Sequence, residues 1–181
     1  MTSYLSGSKK YTAGVELGFE TTTLDMEGEV TKRAPYDHVT VEQVQEALSE
    51  FVGTIDQIPP IFSAIRKDGK RLFEKARSGV SADDIEIEPR QVHIYSVDLV
   101  PSMLELPKFA INVECGGGTY VRSLVRDIAY KVGTVGTTTF LERTKQGQFT
   151  LDDAIPKDDW TADNIYAAID HFNQQLNEDE S

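Results

Sequence analysis

Hydrophobic and polar positions alternate cleanly near the start of the chain. In YTAGVELGF, residues 11–19, Tyr11, Ala13, Val15, Leu17 and Phe19 fall on one face, the period of a half-buried strand. A turn at Gly28 and a return strand follow. Thr40 with Gln43 three residues on reads as a capping box opening a helix. Val41, Val44, Leu48 and Phe51 form the apolar stripe of that helix, and Gly53 ends it. Pro59-Pro60 forces an extended approach to IFSAI. A short helix is predicted from Lys70 to Arg77, with Leu72, Phe73 and Ala76 inward. Residues 90–100 read as a strand with apolar groups on both faces. Phe109, Ile111, Val113 and Cys115 alternate through another, over 108–115. The glycines of CGGGTYVRSLVRDIA, 115–129, then turn the chain into a helix starting near Tyr120, with Val121, Leu124, Val125 and Ile128 as its buried stripe. Weaker strands are predicted around 137–141 and 148–151, and a helix over 162–176 before a disordered acidic end. The pattern is α+β: a mixed, largely antiparallel sheet with flanking helices.

Charge changes the picture in one respect. The net charge is −12, yet residues 151–181 hold nine acids and one lysine. The chain therefore divides into a body, 1–150, and an acidic extension, 151–181. The body has a basic cluster in RKDGKRLFEKAR, where Arg66, Lys67, Lys70, Arg71, Lys75 and Arg77 gather. By pattern alone this is as well read as a solvated helix face as an RNA-contacting one. Cys115 is the single cysteine, so no internal disulfide is possible. The three histidines have no zinc spacing, and no apolar run approaches a membrane span.

The residues around the glycine turn narrow the chemistry. No GxGxxG or Walker sequence is present, and no GxSxG; Cys115 has no base beside it in sequence. A plain strand-to-helix turn does not call for Tyr120 and Arg122 next to it. Arginine suits two-pronged pairing with a carboxylate or phosphate.

Four stretches in order resemble the TruB family of pseudouridine synthases: KKYTAGVELGFETTTLDMEGEV, IPPIFSAIRKDGKRLFEKARSG, VECGGGTYVRSLVRDIA and FLERTKQGQF. The resemblance covers residues 4–150 and leans toward the eukaryotic tRNA enzymes. It implies isomerisation of a T-loop uridine of tRNA to pseudouridine, without a metal or redox cofactor. Tyr11 matches the tyrosine that stacks on the target base. Arg122 matches the partner of the catalytic aspartate, Tyr120 a pocket aromatic, and Leu141 a pocket wall. The six bases of 66–77 match the element that grips the T-arm. It also implies an intracellular setting, nuclear or mitochondrial, and a monomer when complete.

The family's aspartate motif, of the form GGTLDPxAxG, is expected ahead of YLSGSKKY and does not occur in the sequence. Thr23-Leu24-Asp25 mimics part of it, but lies within the second motif, so Asp25 is rejected as the nucleophile. The expectation is an incomplete synthase fold, inactive alone, whose Arg122 awaits a carboxylate on a missing N-terminal segment. The alternatives are a non-catalytic RNA-binding remnant, a small-RNA-guided relative, and an acidic protein-interaction domain.

Overall fold

The computed structural model describes residues 7–80 and 84–179, with side chains as far as Gln174. It divides into two compact units, Met1–Gly147 and Gln148–Ser181. In the first, β1 (Lys9–Leu17) lies between β8 (Lys108–Cys115) and β9 (Gly136–Gln146). β7 (Arg90–Leu99) pairs beyond β8, and β4 (Gly53–Gln57) beyond β7. Every pairing in this order, β9-β1-β8-β7-β4, is antiparallel.

The alternation in β1 and β8 does what it predicts. Ala13, Val15 and Leu17 meet Ile111 and Val113 in the core, at 0–2% exposure. α1 (Val41–Glu50) and α3 (Val121–Lys131) contribute Val44, Leu48, Leu124, Val125 and Ile128 to the same cluster. Each such side chain stabilises the fold by about 1.5–3 kcal/mol relative to exposure. Leu124→Ala, at the fully buried centre, is the single change that would damage it most directly.

α1 begins as its capping box predicts. The Thr40 hydroxyl accepts from the Gln43 N–H at 3.3 Å, and the Gln43 Oε1 accepts from the Thr40 N–H at 2.9 Å. Strand β7 departs from the two-faced reading. A register shift between Ile94 and Ser96 carries the apolar positions from even to odd numbers, so Ile94, Val97 and Leu99 all join one core.

The basic cluster is also not one helix. β5 (Arg66–Lys67) and β6 (Lys70–Arg71) form a hairpin, and α2 starts only at Leu72, running to Arg77. Asp68 and Gly69 between them have φ of 54° and 80°, the two left-handed residues that a tight hairpin turn of this hand needs. A further hairpin joins β2 (Phe19–Thr21) to β3 (Val30–Arg33).

The second unit holds β10 (Phe149–Thr150) and α4 (Ala162–Asp179). Phe149 stacks on Phe172 at 4.3 Å. α4 extends three residues past the predicted end at Leu176. The end expected to be disordered lies otherwise outside the described residues. Among those residues, no helix is long and apolar enough to cross a membrane.

Candidate functional site

The strand-to-helix turn is built to fix the start of α3. Gly116 donates its N–H to the His93 carbonyl at 2.8 Å, and the Thr119 hydroxyl donates to the Gly116 carbonyl at 3.1 Å. Gly118, at φ 85°, makes the reversal. The Tyr120 N–H, at the helix cap, donates to Gln57 Oε1 at 2.8 Å, and Gln57 is 1% exposed. A side chain from the end of β4 thus does the capping that Tyr120 cannot do itself.

Two residues into the helix, Arg122 reaches three acceptors. Its Nη1 donates to the Thr23 carbonyl and to Asp25 Oδ2, each at 2.7 Å, and its Nη2 donates to the Phe62 carbonyl at 3.1 Å. This corrects the expectation of an Arg122 without a carboxylate: Asp25 is its partner. The pair links positions 97 residues apart. The physical reason is the turn of the β2–β3 hairpin. Leu24 sits at φ 62°, Thr138 of β9 donates its N–H to the Leu24 carbonyl at 3.1 Å, and Asp25 is thereby turned toward α3. Asp25 Oδ1 accepts from the Thr23 hydroxyl at 2.5 Å and from the Glu27 N–H at 3.1 Å. Both carboxylate oxygens are therefore engaged. A guanidinium has five N–H donors. Three are used here among the described residues, which leaves two for another acceptor.

Tyr11 and Leu141 lie on the neighbouring strands. Ala13 pairs with Leu141, and Tyr11 with Arg143, so Tyr11 and Leu141 are diagonal neighbours on one face. That face holds the fully buried Ala13, yet Leu141 is 45% exposed. Burial pushes the Tyr11 phenol up from its ordinary value, while a hydrogen bond from Arg143 opposes the shift. Further along the same pair of strands, past Gly14–Phe140 and a register shift, Val15 pairs with Thr138, which carries the bridge to Asp25. The β1–β9 ladder thus anchors the Tyr11–Leu141 corner and, through Thr138, the turn that carries Asp25.

The six bases separate into two kinds. Lys75 is committed to Asp68, with Nζ 2.7 Å from Oδ2 and only 18% of the side chain exposed; its ammonium holds the Asp68 carboxyl below its usual range. Lys67 donates to the Glu86 carbonyl. Arg71 and Arg77 flank the Phe73 ring, 5.7 and 5.3 Å from its centroid. Arg66, Lys70, Arg71 and Arg77 are exposed. Sequence reasoning missed Gln57, Thr23 and the pairing of Asp25 with Arg122; an amide two residues before Pro59-Pro60 carries no signal of the helix it caps. Among the described residues, no three His, Cys, Asp or Glu side chains are arranged to hold a metal ion.

Comparison with known proteins identifies the family. The family model described as TruB family pseudouridylate synthase (N terminal domain) matches residues 1–121. Pseudouridylate synthase TRUB1 of Homo sapiens is 46% identical over 173 residues, covering 94% of this chain and 48% of its own length. The tRNA pseudouridine synthase B of Microcystis aeruginosa is 42% identical over 154 residues, covering 84% of this chain and 52% of its own length. The chain therefore spans about half the length of the curated relatives it matches. Among solved structures, a chain of a Cbf5-Nop10-Gar1 complex superposes with a TM-score of 0.59 at 23% identity, over 87% of this chain and 36% of that one. A chain of an H/ACA RNP bound to a substrate RNA gives 0.54 at 19%, over 85% of this chain and 33% of that one. At those identities the likeness is one of fold.

Proposed function

The chain belongs to the TruB family of pseudouridylate synthases, and on that footing we propose that it supplies the greater part of a catalytic domain that converts a T-loop uridine of tRNA to pseudouridine. The reaction breaks the bond from ribose C1′ to N1 of uracil and forms one from C1′ to C5. The base must leave the helical stack to be reached. Tyr11 stacks on the extruded uracil, with Leu141 and Tyr120 at the pocket wall.

The observation that carries this reading is the state of Arg122. Its guanidinium is held from three directions, yet two of its five donors have no partner among the described residues. That suits a second carboxylate, the aspartate that the resemblance assigns to a GGTLDP motif. Asp25 is the counter-ion that fixes the arginine and not the attacking group, since both its oxygens already accept hydrogen bonds.

The basic hairpin grips the T-arm. Arg66, Lys70, Arg71 and Arg77 meet phosphates, while Lys67 and Lys75 brace the hairpin from within. The complete enzyme works as an intracellular monomer. The substrate assignment is tested by titrating the chain with two RNA hairpins of equal length, a tRNA T-arm and an anticodon arm. Tighter binding of the T-arm is expected, and equal binding would refute it.

A further inference from the structure

Helix α3 meets the β2–β3 hairpin at two places. One is Arg122, against Thr23 and Asp25. The other is Tyr130, eight residues or about 12 Å further along the axis. The Tyr130 hydroxyl donates to Glu20 Oε2 at 2.5 Å. Glu20, on β2, is 6% exposed. From β3, Lys32 Nζ lies 3.4 Å from Glu20 Oε1 and 3.3 Å from the Tyr130 oxygen. A buried carboxylate is thus answered from the helix and from the opposite strand of its own hairpin.

Such a carboxylate is costly to bury, and an apolar residue would fill the same space at less cost. What the polar cluster adds is direction. The hairpin is tied to β9 through the Thr137 hydroxyl on the Phe19 carbonyl, at 2.8 Å, and the Thr138 N–H on the Leu24 carbonyl, at 3.1 Å. Those bonds fix its backbone along one strand. With Arg122 alone on the helix side, the hairpin could still rotate about that line. The Glu20 cluster is the second point of attachment that removes this freedom.

We propose that Tyr130 is a positioning residue: through Glu20 and Lys32 it locks the β2–β3 hairpin to α3, so that Asp25 holds the Arg122 guanidinium in one orientation. The phenol keeps its proton across the ordinary pH range, because burial and the adjacent Glu20 carboxylate both push it up. The hydroxyl therefore remains a donor wherever the enzyme works. The consequence for uridine isomerisation rests on the function proposed above; the positioning itself does not.

The test is side-chain nitrogen NMR of Arg122 in the full 181-residue chain. Pairing with Asp25 and two carbonyls slows rotation of the guanidinium. Tyr130→Phe should speed that rotation by about tenfold, the effect of leaving one oxygen of a buried carboxylate without its donor while Lys32 still holds the other. Lys32→Met removes a partner that is 58% exposed, so the protein stays folded, and should shift the rotation in the same direction by less. Val97→Ala, a core change on β7, controls for loss of general stability. Wild-type rotation in Tyr130→Phe would overturn the proposal. An equal acceleration in Val97→Ala would overturn it too. These outcomes are read without any RNA, so they are distinct from a failure of the proposed reaction.

Discussion

Replacing Asp25 by asparagine isolates the ion pair at the centre of the site. Asparagine has nearly the same shape and can keep its carbonyl oxygen on the Thr23 hydroxyl and the Glu27 N–H. Its amide nitrogen then faces the Arg122 guanidinium, donor against donor. The substitution removes one charge-assisted hydrogen bond of 2.7 Å, a bond that contributes about 1.5–3 kcal/mol when water is excluded. The two side chains are 24% and 25% exposed, so screening lowers the figure to about 1–2 kcal/mol. For a chain of this length the melting temperature should fall by about 2–8 °C. Arg122→Gln, and the double variant, complete a cycle in thermal or urea unfolding. The two residues should couple by about 1–2 kcal/mol. A coupling below about 0.3 kcal/mol, the level at which unconnected sites add, would refute the reasoning.

Lys70→Glu with Arg71→Glu should weaken T-arm binding and flatten its salt dependence by about 0.7–0.9 for each phosphate no longer neutralised, whereas Lys75→Met should leave the slope unchanged; equal slopes would show that the exposed bases do not meet phosphates. The folded-state value of the Tyr130 phenol lies above its ordinary 10.0, so its contribution is fully present below about pH 10 and is lost as pH rises through the raised value. The stability gap between wild type and Tyr130→Phe should therefore narrow in alkali, and a gap that is constant to high pH would contradict this. Cys115 is fully buried and burial pushes its thiol up, so an aromatic disulfide reagent should modify it only after unfolding; rapid labelling of the native chain would place it elsewhere.

What could be read from the sequence was whatever leaves a period or a local signature. The alternation of Tyr11 to Leu17, the Thr40–Gln43 box and the Val121–Ile128 stripe each state their structure within a few residues, and each element formed there. The two-residue strands beside Asp68-Gly69 are too short to show any period, so the basic cluster read as a helix. The β7 bulge disguised one buried face as two. Tyr11, Tyr120, Arg122 and Leu141 stand out only through the family resemblance, which assigns Arg122 a carboxylate outside the chain. Its actual partner could not be read locally, because a salt bridge closed by tertiary folding over 97 residues leaves no trace in spacing. Asp25 carries only the marks of a turn, and the turn is what aims it.

The function proposed for this site is uridine isomerisation once a second carboxylate reaches Arg122. The direct measurement is pseudouridine mapping of an unmodified tRNA transcript, incubated with the 181-residue chain and, separately, with the same chain joined at its N-terminus to a segment carrying the GGTLDP motif. The chain by itself should bind and leave every uridine unchanged. The joined protein should convert a single T-loop uridine, and Arg122→Gln should abolish that conversion. Stoichiometric conversion by the unaided chain, or none by the joined protein, would contradict the claim.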